Sequence, residues 1–172
     1  MIQTDSRFII IAGTARNVGK TTLACGLIKK LSKTKEIIGV KFICLKKGAY
    51  QHKHHDEVDA YEIFEEIDTS SEKDSAKMLL AGARKSFFIV SHEEYIKQAL
   101  SELYQLINID DVVVVESACI RNYIKPKDFI IVDKDNSEPK KNYINALIPL
   151  ADYQIDSGKD DMFEHFLNNF SE

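Results

Sequence analysis

Short apolar runs alternate with segments of helical periodicity along this chain. Residues 8–12 and 112–115 are continuously apolar and rich in Ile and Val, which is typical of strands buried on both faces of a sheet. Residues 20–33 instead repeat apolar side chains at the spacing of one helical face. The same patterns predict further strands at 36–45, 86–90 and 129–132, and further helices at 71–83, 91–107 and 162–170. This alternation predicts an α/β fold with three layers and a mostly parallel central sheet.

The helix predicted at 71–83 has a signal at its start and an expected inner face. Residues 71–74 fit a capping box, in which the first and last side chains bond to each other's backbone N–H groups, and residues 91–94 do the same for the next helix. The side chains expected to face the core from the first of these helices are Ala76, Leu79, Leu80 and Ala83.

The segment 46–70 breaks the alternation. It begins with basic and histidine side chains, continues with acidic ones, and shows no clear period, which predicts a polar, mobile, lid-like insertion. Its cluster of His52, His54, His55 and Asp56 has side chains that suit a transition metal. The favoured interpretation is a loop near a bound phosphate or a second substrate, with the metal site and a simple solvated loop left open.

Composition and charge narrow the class of protein. A length of 172 residues fits a single domain spanning 1–172, and a net charge of −4 gives no reason to expect a nucleic acid as partner. The three cysteines form no C-x-x-C pair, so neither a zinc ribbon nor a disulfide framework is expected. No apolar run approaches the roughly 20 residues of a membrane helix. A soluble, cytoplasmic protein that does not bind a membrane is therefore expected.

A glycine-bounded loop joins the first predicted strand to the first predicted helix. It matches a P-loop, in which backbone N–H groups and the positive end of the helix dipole bind phosphate. Lys20 is expected to contact the β- and γ-phosphates, and the Thr21 hydroxyl to complete a magnesium shell. Arg16 either binds phosphate or faces water. The predicted nucleotide-binding residues are Gly13, Thr14, Ala15, Arg16, Asn17, Val18, Gly19, Lys20, Thr21 and Thr22.

Glu116 directly follows the valine strand, on the sheet edge where this loop opens. A carboxylate in that position can hold magnesium or its water. Lys20 and Glu116 are therefore the candidate catalytic residues, and the expected metal ligands are Thr21, Glu116 and Asp56. The expected cofactors are Mg²⁺ and either ATP or GTP. The acidic pair 110–111 lies at the opposite end of the strand and is excluded from the site.

The chain resembles a known family in several of these segments. Residues 13–22, with Thr14 in place of the first glycine of the commonest spacing, are similar to the phosphate loop of dethiobiotin synthetase. The segments 54–56, 73–75 and 81–83 resemble the molybdopterin-guanine dinucleotide biosynthesis protein B family, as does Glu116 at its strand end. Ser117 differs from the glycine that this family has after the glutamate, and residues 57–72 are longer than expected.

The resemblance implies a P-loop NTPase fold, GTP binding with slow hydrolysis, an assisting role in cofactor biosynthesis, and a homodimer. An aromatic stripe of Phe163, Phe166 and Phe170, expected to be exposed, also favours the homodimer. Two alternatives stay open. One is an ATP-dependent ligase resembling dethiobiotin synthetase, in which Lys41, Lys46 or Lys47 lies near an activated carboxylate of a small second substrate. The other is a non-catalytic nucleotide-binding adaptor that recruits a partner through the segment 46–70.

Overall fold

The computed structural model describes residues 2–45, 58–134 and 142–171. In chain order its strands and helices are β1 (Gln3–Gly13), α1 (Lys20–Leu31), β2 (Ile37–Leu45), β3 (Tyr61–Glu65), α2 (Asp74–Leu80), β4 (Lys85–His92), α3 (Ile96–Leu106), β5 (Val112–Glu116), β6 (Ile124–Asp133), β7 (Tyr153–Asp156) and α4 (Met162–Asn169). Short 3₁₀ helices lie at Glu93–Tyr95, Cys119–Asn122, Asn142–Ala146 and Ile148–Leu150.

The strands of the described residues form one sheet in the order β3-β4-β2-β5-β1-β6-β7. Neighbouring strands run parallel, except that β3 runs antiparallel to β4 at one edge. β5 lies in the middle, and its valines are covered because β1 and β2 flank it and helices lie over the sheet. The predicted α/β class and mostly parallel sheet are confirmed.

Helices cover both faces of this sheet. The apolar side of α3 packs on one face with Phe8, Ile10 and Phe87, while the buried sides of α1, α2 and α4 pack on the other face with Ile9 and Ile11. Because successive strand residues point to opposite faces, β1 supplies side chains to both apolar cores. Within the described ranges, no helix has the length and apolar character needed to cross a membrane.

The segment 46–70 differs from its prediction in the part that the structure describes. Residues 46–57 lie outside the described residues, but β3 lies inside the segment and pairs with β4. Tyr61 and Ile63 pack against the core that contains α3, while Glu62 between them is exposed. This alternation over five residues is a strand signal. The expectation of an irregular insertion up to residue 70 is therefore wrong for Tyr61–Glu65.

The helix predicted at 71–83 is shorter than predicted, and one of the side chains expected to face the core points outward. α2 begins at Asp74, and its N-cap residue Lys73 makes no side-chain capping bond, so the capping box at 71–74 does not form. Met78 is fully buried, whereas Leu80 is 65% exposed. Residues two positions apart lie about 200° apart around a helix, so Leu80 points outward because Met78 faces the core.

Two other expectations are corrected by tertiary contacts. The aromatic stripe of α4 is packed within the chain, since Phe166 contacts Tyr153 and Phe170 is only 5% exposed.

Cys44 and Cys119 form a disulfide with a Cα–Cα distance of 6.5 Å, although no disulfide was expected. They are separated by 75 residues in sequence, and only the pairing of β2 with β5 brings them together.

Candidate functional site

The loop between β1 and α1 lies at the carboxyl edge of the parallel strands. Its backbone is left-handed at Asn17 and at Gly19, with φ values of 55° and 95°. Gly13 has no room for a side chain, because a Cβ there would lie 2.7 Å from the Lys20 Cδ atom and from the Val18 Cγ2 atom. Glycine at positions 13 and 19 therefore lets the chain turn sharply and fold back on the start of α1.

Elements far along the chain hold this loop in place. The Thr14 N–H donates to the Val132 carbonyl at 3.0 Å, and its hydroxyl donates to Asp133 Oδ1 at 2.5 Å. The Ser157 hydroxyl lies 2.6 Å from the Val18 carbonyl oxygen, and the Phe163 ring packs against the Gly19 Cα. The ends of β6 and β7 and the start of α4 therefore support the loop, a role that no local sequence pattern predicts.

The side chains of the predicted nucleotide-binding segment differ in their exposure. Ala15 and Val18 are buried, whereas Arg16 and Thr22 are exposed. The Lys20 Nζ atom donates to the Ala15 carbonyl at 3.0 Å, so the lysine side chain folds over the loop. This places an ammonium group beside the backbone N–H groups of a helix N-terminus, an arrangement that favours an anion.

Glu116 ends the central strand and is 2% exposed. Its Oε2 atom accepts a hydrogen bond of 2.8 Å from the Thr21 hydroxyl, in the first turn of α1. Its Oε1 atom lies 2.5 Å from the Nζ atom of Lys41. The sheet register explains this contact, since Lys41 on β2 stands directly beside Glu116 on β5. The predicted pair of Thr21 and Glu116 is thus brought together.

Asp74 completes this group of side chains. As the first residue of α2, it places its Oδ2 atom 2.8 Å from the Lys41 Nζ atom. Burial opposes the charge of Lys41, but Glu116 and Asp74 outweigh it and raise the pKa of the ammonium group. Burial likewise opposes the charge of Asp74, yet its interactions with Lys41 and Thr21 lower its pKa. The attraction between Lys41 and the neighbouring carboxylates therefore outweighs burial and favours the charged forms of Lys41 and Asp74.

The sequence predicts part of this cluster. It indicates Thr21 and Glu116 as site residues, but Lys41 only as a possible ligase residue and Asp74 only as a member of the segments 71–74 and 73–75. A signal for Lys41 existed, because it is the single charged residue in the otherwise apolar strand Ile37–Leu45. Asp56 and the neighbouring histidines lie outside the described residues.

The acidic residues excluded by the sequence analysis lie away from the site. Asp111 is 1% exposed, and its Oδ2 atom accepts hydrogen bonds of 2.7 Å from both Arg84 and the Asn108 N–H. These contacts fix the turn before β5 and the start of β4. Asp111 therefore has a structural role at the amino edge of the sheet.

The cluster offers oxygen atoms of the kind that a magnesium ion prefers. Mg²⁺ is usually bound in proteins through one or two carboxylates together with waters and phosphate oxygens. Thr21, Asp74 and Glu116 provide a hydroxyl and two carboxylates next to the loop, and so fit this type of ligand set. In the parts of the chain that the structure describes, no group of three His, Cys, Asp or Glu side chains could hold a metal by itself.

Comparison with known proteins gives no relative for this chain. No protein-family model matches it, and no match was found among curated proteins or among solved structures. A function can therefore be inferred only from the side chains and the fold.

Proposed function

We propose that the chain binds a nucleoside triphosphate with Mg²⁺ through residues 13–22 as a P-loop, and hydrolyses it slowly. The observation that carries this proposal is the 2.8 Å hydrogen bond between Thr21 and Glu116. It joins the first turn of the helix after the loop to the end of the central strand, 95 residues further along the chain. A hydroxyl and a carboxylate meeting at that edge are what magnesium binding beside a phosphate loop requires.

Each side chain has a role in this proposal. The loop N–H groups and Lys20 bind the phosphate oxygens and stabilise the charge that develops on them during phosphoryl transfer. Thr21 and Glu116 hold the metal or its water, and Asp74 faces the same point from α2. Bound magnesium would neutralise phosphate charge and orient the transferring group. Whether the base is adenine or guanine is left open.

Lys41 favours a second candidate function. Its ammonium group enters the site from the neighbouring strand, beside Glu116. In an ATP-dependent ligase resembling dethiobiotin synthetase, such a lysine would bind the carboxylate that becomes phosphorylated. A small carboxylic acid that stimulates phosphate release would support the ligase, while basal release alone would support the slow NTPase. Tight nucleotide binding without any turnover would instead support the adaptor.

Two substitutions test the proposal. Lys20→Ala should weaken nucleotide binding and hydrolysis together, because Lys20 contacts phosphate in the ground state and in the transition state. Glu116→Gln should leave nucleotide affinity within a few-fold but slow hydrolysis by roughly 10²-fold, the scale of a positioned acid or base. Calorimetry with ATP and GTP, together with phosphate release, measures both effects.

The controls are exposed residues of the same type away from the site. Lys97→Ala on α3 and Glu62→Gln on β3 should behave as the parent protein does. Nucleotide binding by Lys20→Ala that equals the parent's would show that the loop is not a P-loop. Unchanged hydrolysis by Glu116→Gln would remove Glu116 from the chemistry and direct attention to Asp56.

A further inference from the structure

Lys41 stands between two carboxylates that come from different elements. Its Nζ atom lies 2.5 Å from Glu116 Oε1 and 2.8 Å from Asp74 Oδ2. Magnesium binds carboxylate oxygens at about 2.0–2.1 Å. Each oxygen would therefore need to move by less than about 1 Å to bind a metal ion in place of the ammonium group. The two carboxylates are already directed at one cation.

The charges of the cluster explain why a cation is present. Glu116 is 2% exposed and Asp74 is half-buried, so these two neighbouring carboxylates would be costly without a counter-charge. With one ammonium group, the pair of carboxylates keeps a net charge of −1. Adding Mg²⁺ alone would change this net charge to +1 and would place a second cation beside Lys41. A nucleoside triphosphate changes this balance, because its phosphates supply negative charge for both cations.

Lys41 is also the member of the cluster that can move. Its long flexible stem can carry the charge to a new position, whereas Asp74 has a short side chain at the first residue of α2. Glu116 is fixed at the end of the central strand and is held by Thr21. An incoming metal ion would therefore displace the lysine, while Glu116 would shift only slightly.

On the basis of the proposed function, we infer that Lys41 is an internal substitute for magnesium. Its ammonium group occupies the carboxylate pair while no nucleotide is bound, and Mg²⁺ replaces it only when the triphosphate arrives with its charge. The released Lys41 then faces the phosphates. The chain consequently binds free divalent metal poorly and takes up metal together with the nucleotide.

Binding of free Mn²⁺ in the absence of nucleotide tests this inference. Titration of the parent protein, followed by the electron paramagnetic resonance signal of unbound Mn²⁺, should give a Kd above about 1 mM, weaker than the weakest protein calcium sites, because the carboxylates are already paired with Lys41. Lys41→Met and Lys41→Gln should bind Mn²⁺ at least tenfold more tightly, and should melt at a higher temperature when Mn²⁺ is added. Lys41→Arg retains the charge and should bind Mn²⁺ as weakly as the parent.

Lys97→Met is the matched control, because Lys97 is an exposed lysine on α3 and lies away from the cluster. It should leave Mn²⁺ binding unchanged. Parent protein that binds free Mn²⁺ with a Kd below 1 mM would overturn the inference even if the neutral variants do not fold. Folded neutral variants that bind Mn²⁺ no better than the parent would also overturn it.

Nucleotide titration of the parent protein separates this inference from the proposed function. Nucleotide binding together with unchanged Mn²⁺ affinity in the Lys41 variants would overturn only the exchange. Absence of nucleotide binding would remove the proposed function itself, and with it the triphosphate that is meant to drive the exchange.

Discussion

Glu116, Asp111 and Asp128 are carboxylates that are almost closed off from solvent, and each has different partners. Glu116 meets Thr21 and Lys41, and Asp111 meets Arg84. Among the described residues, the Oδ2 atom of Asp128 has no hydrogen-bond partner. Burial raises the pKa of Asp128, and this effect together with the charge of Asp152 outweighs the opposing charge of Lys127. At the residue scale, Glu116 and Asp111 are compensated charges, whereas Asp128 destabilises the fold when it ionises.

Asp128→Asn should therefore stabilise the protein at neutral pH. Because the folded-state pKa of Asp128 is raised, its contribution to the free energy of unfolding is fully present below the ordinary value of 3.8 and is lost as the pH rises through the folded-state pKa. The neutral amide avoids this loss. Urea unfolding should show a gain on the order of 1 kcal/mol at pH 7, the scale of an unsatisfied buried group, and almost no gain below pH 4.

Asp110→Asn is the control for that comparison, since Asp110 is exposed. It should change the free energy of unfolding by less than about 0.5 kcal/mol at either pH. An Asp128→Asn protein that is less stable than the parent at pH 7 would mean that Asp128 is compensated by a partner.

At the scale of elements, the sequence predicted what local periodicity controls. The strand at 112–115 and the helix beginning at Lys20 were found because their apolar side chains follow one clear period. β7 has four residues with one buried side chain, too few for a period to appear. Lys41 and Asp74 could not be joined to Glu116, because their meeting depends on the register of β2 with β5 and on the start of α2.

The contact between α4 and the loop that joins β1 to α1 is another feature that no local pattern indicates. Phe163→Ala removes the ring that packs on Gly19, where even an added Cβ would lie 2.8 Å from the Phe163 Cζ atom. The free energy of unfolding should fall by about 1–2 kcal/mol, less than the about 3–5 kcal/mol of a fully buried Phe. Nucleotide affinity should fall several-fold, because the loop loses support. Denaturant unfolding and calorimetry measure the two effects.

Phe64→Ala provides the comparison for Phe163→Ala. Phe64 is 50% exposed on the edge strand β3, and its removal should leave nucleotide affinity unchanged. Equal affinities for the two variants would show that α4 does not support the loop in solution.

At the scale of the whole molecule, the homodimer stays a prediction. One of its two reasons is lost, because Phe166 and Phe170 pack inside the chain. The remaining reason is the resemblance to a dimeric family. Light scattering at tens of micromolar should give a mass near twice 19.6 kDa, and a tenfold dilution should lower the dimer fraction only if the interface is weak. A mass of one chain throughout this range would contradict the prediction.

The contacts that Ser157 and Phe163 make with the loop between β1 and α1 have a consequence for folding during synthesis. A ribosome releases residues 13–22 early, but the side chains that brace this loop emerge about 140 residues later. At about 5–20 residues per second, that delay is about 7–28 seconds. During this time residues 13–22 lack their supports. Under the proposed function, nucleotide capture by the growing chain is therefore postponed until nearly all of the sheet has been synthesised, and nucleotide acts on folding only at that last stage.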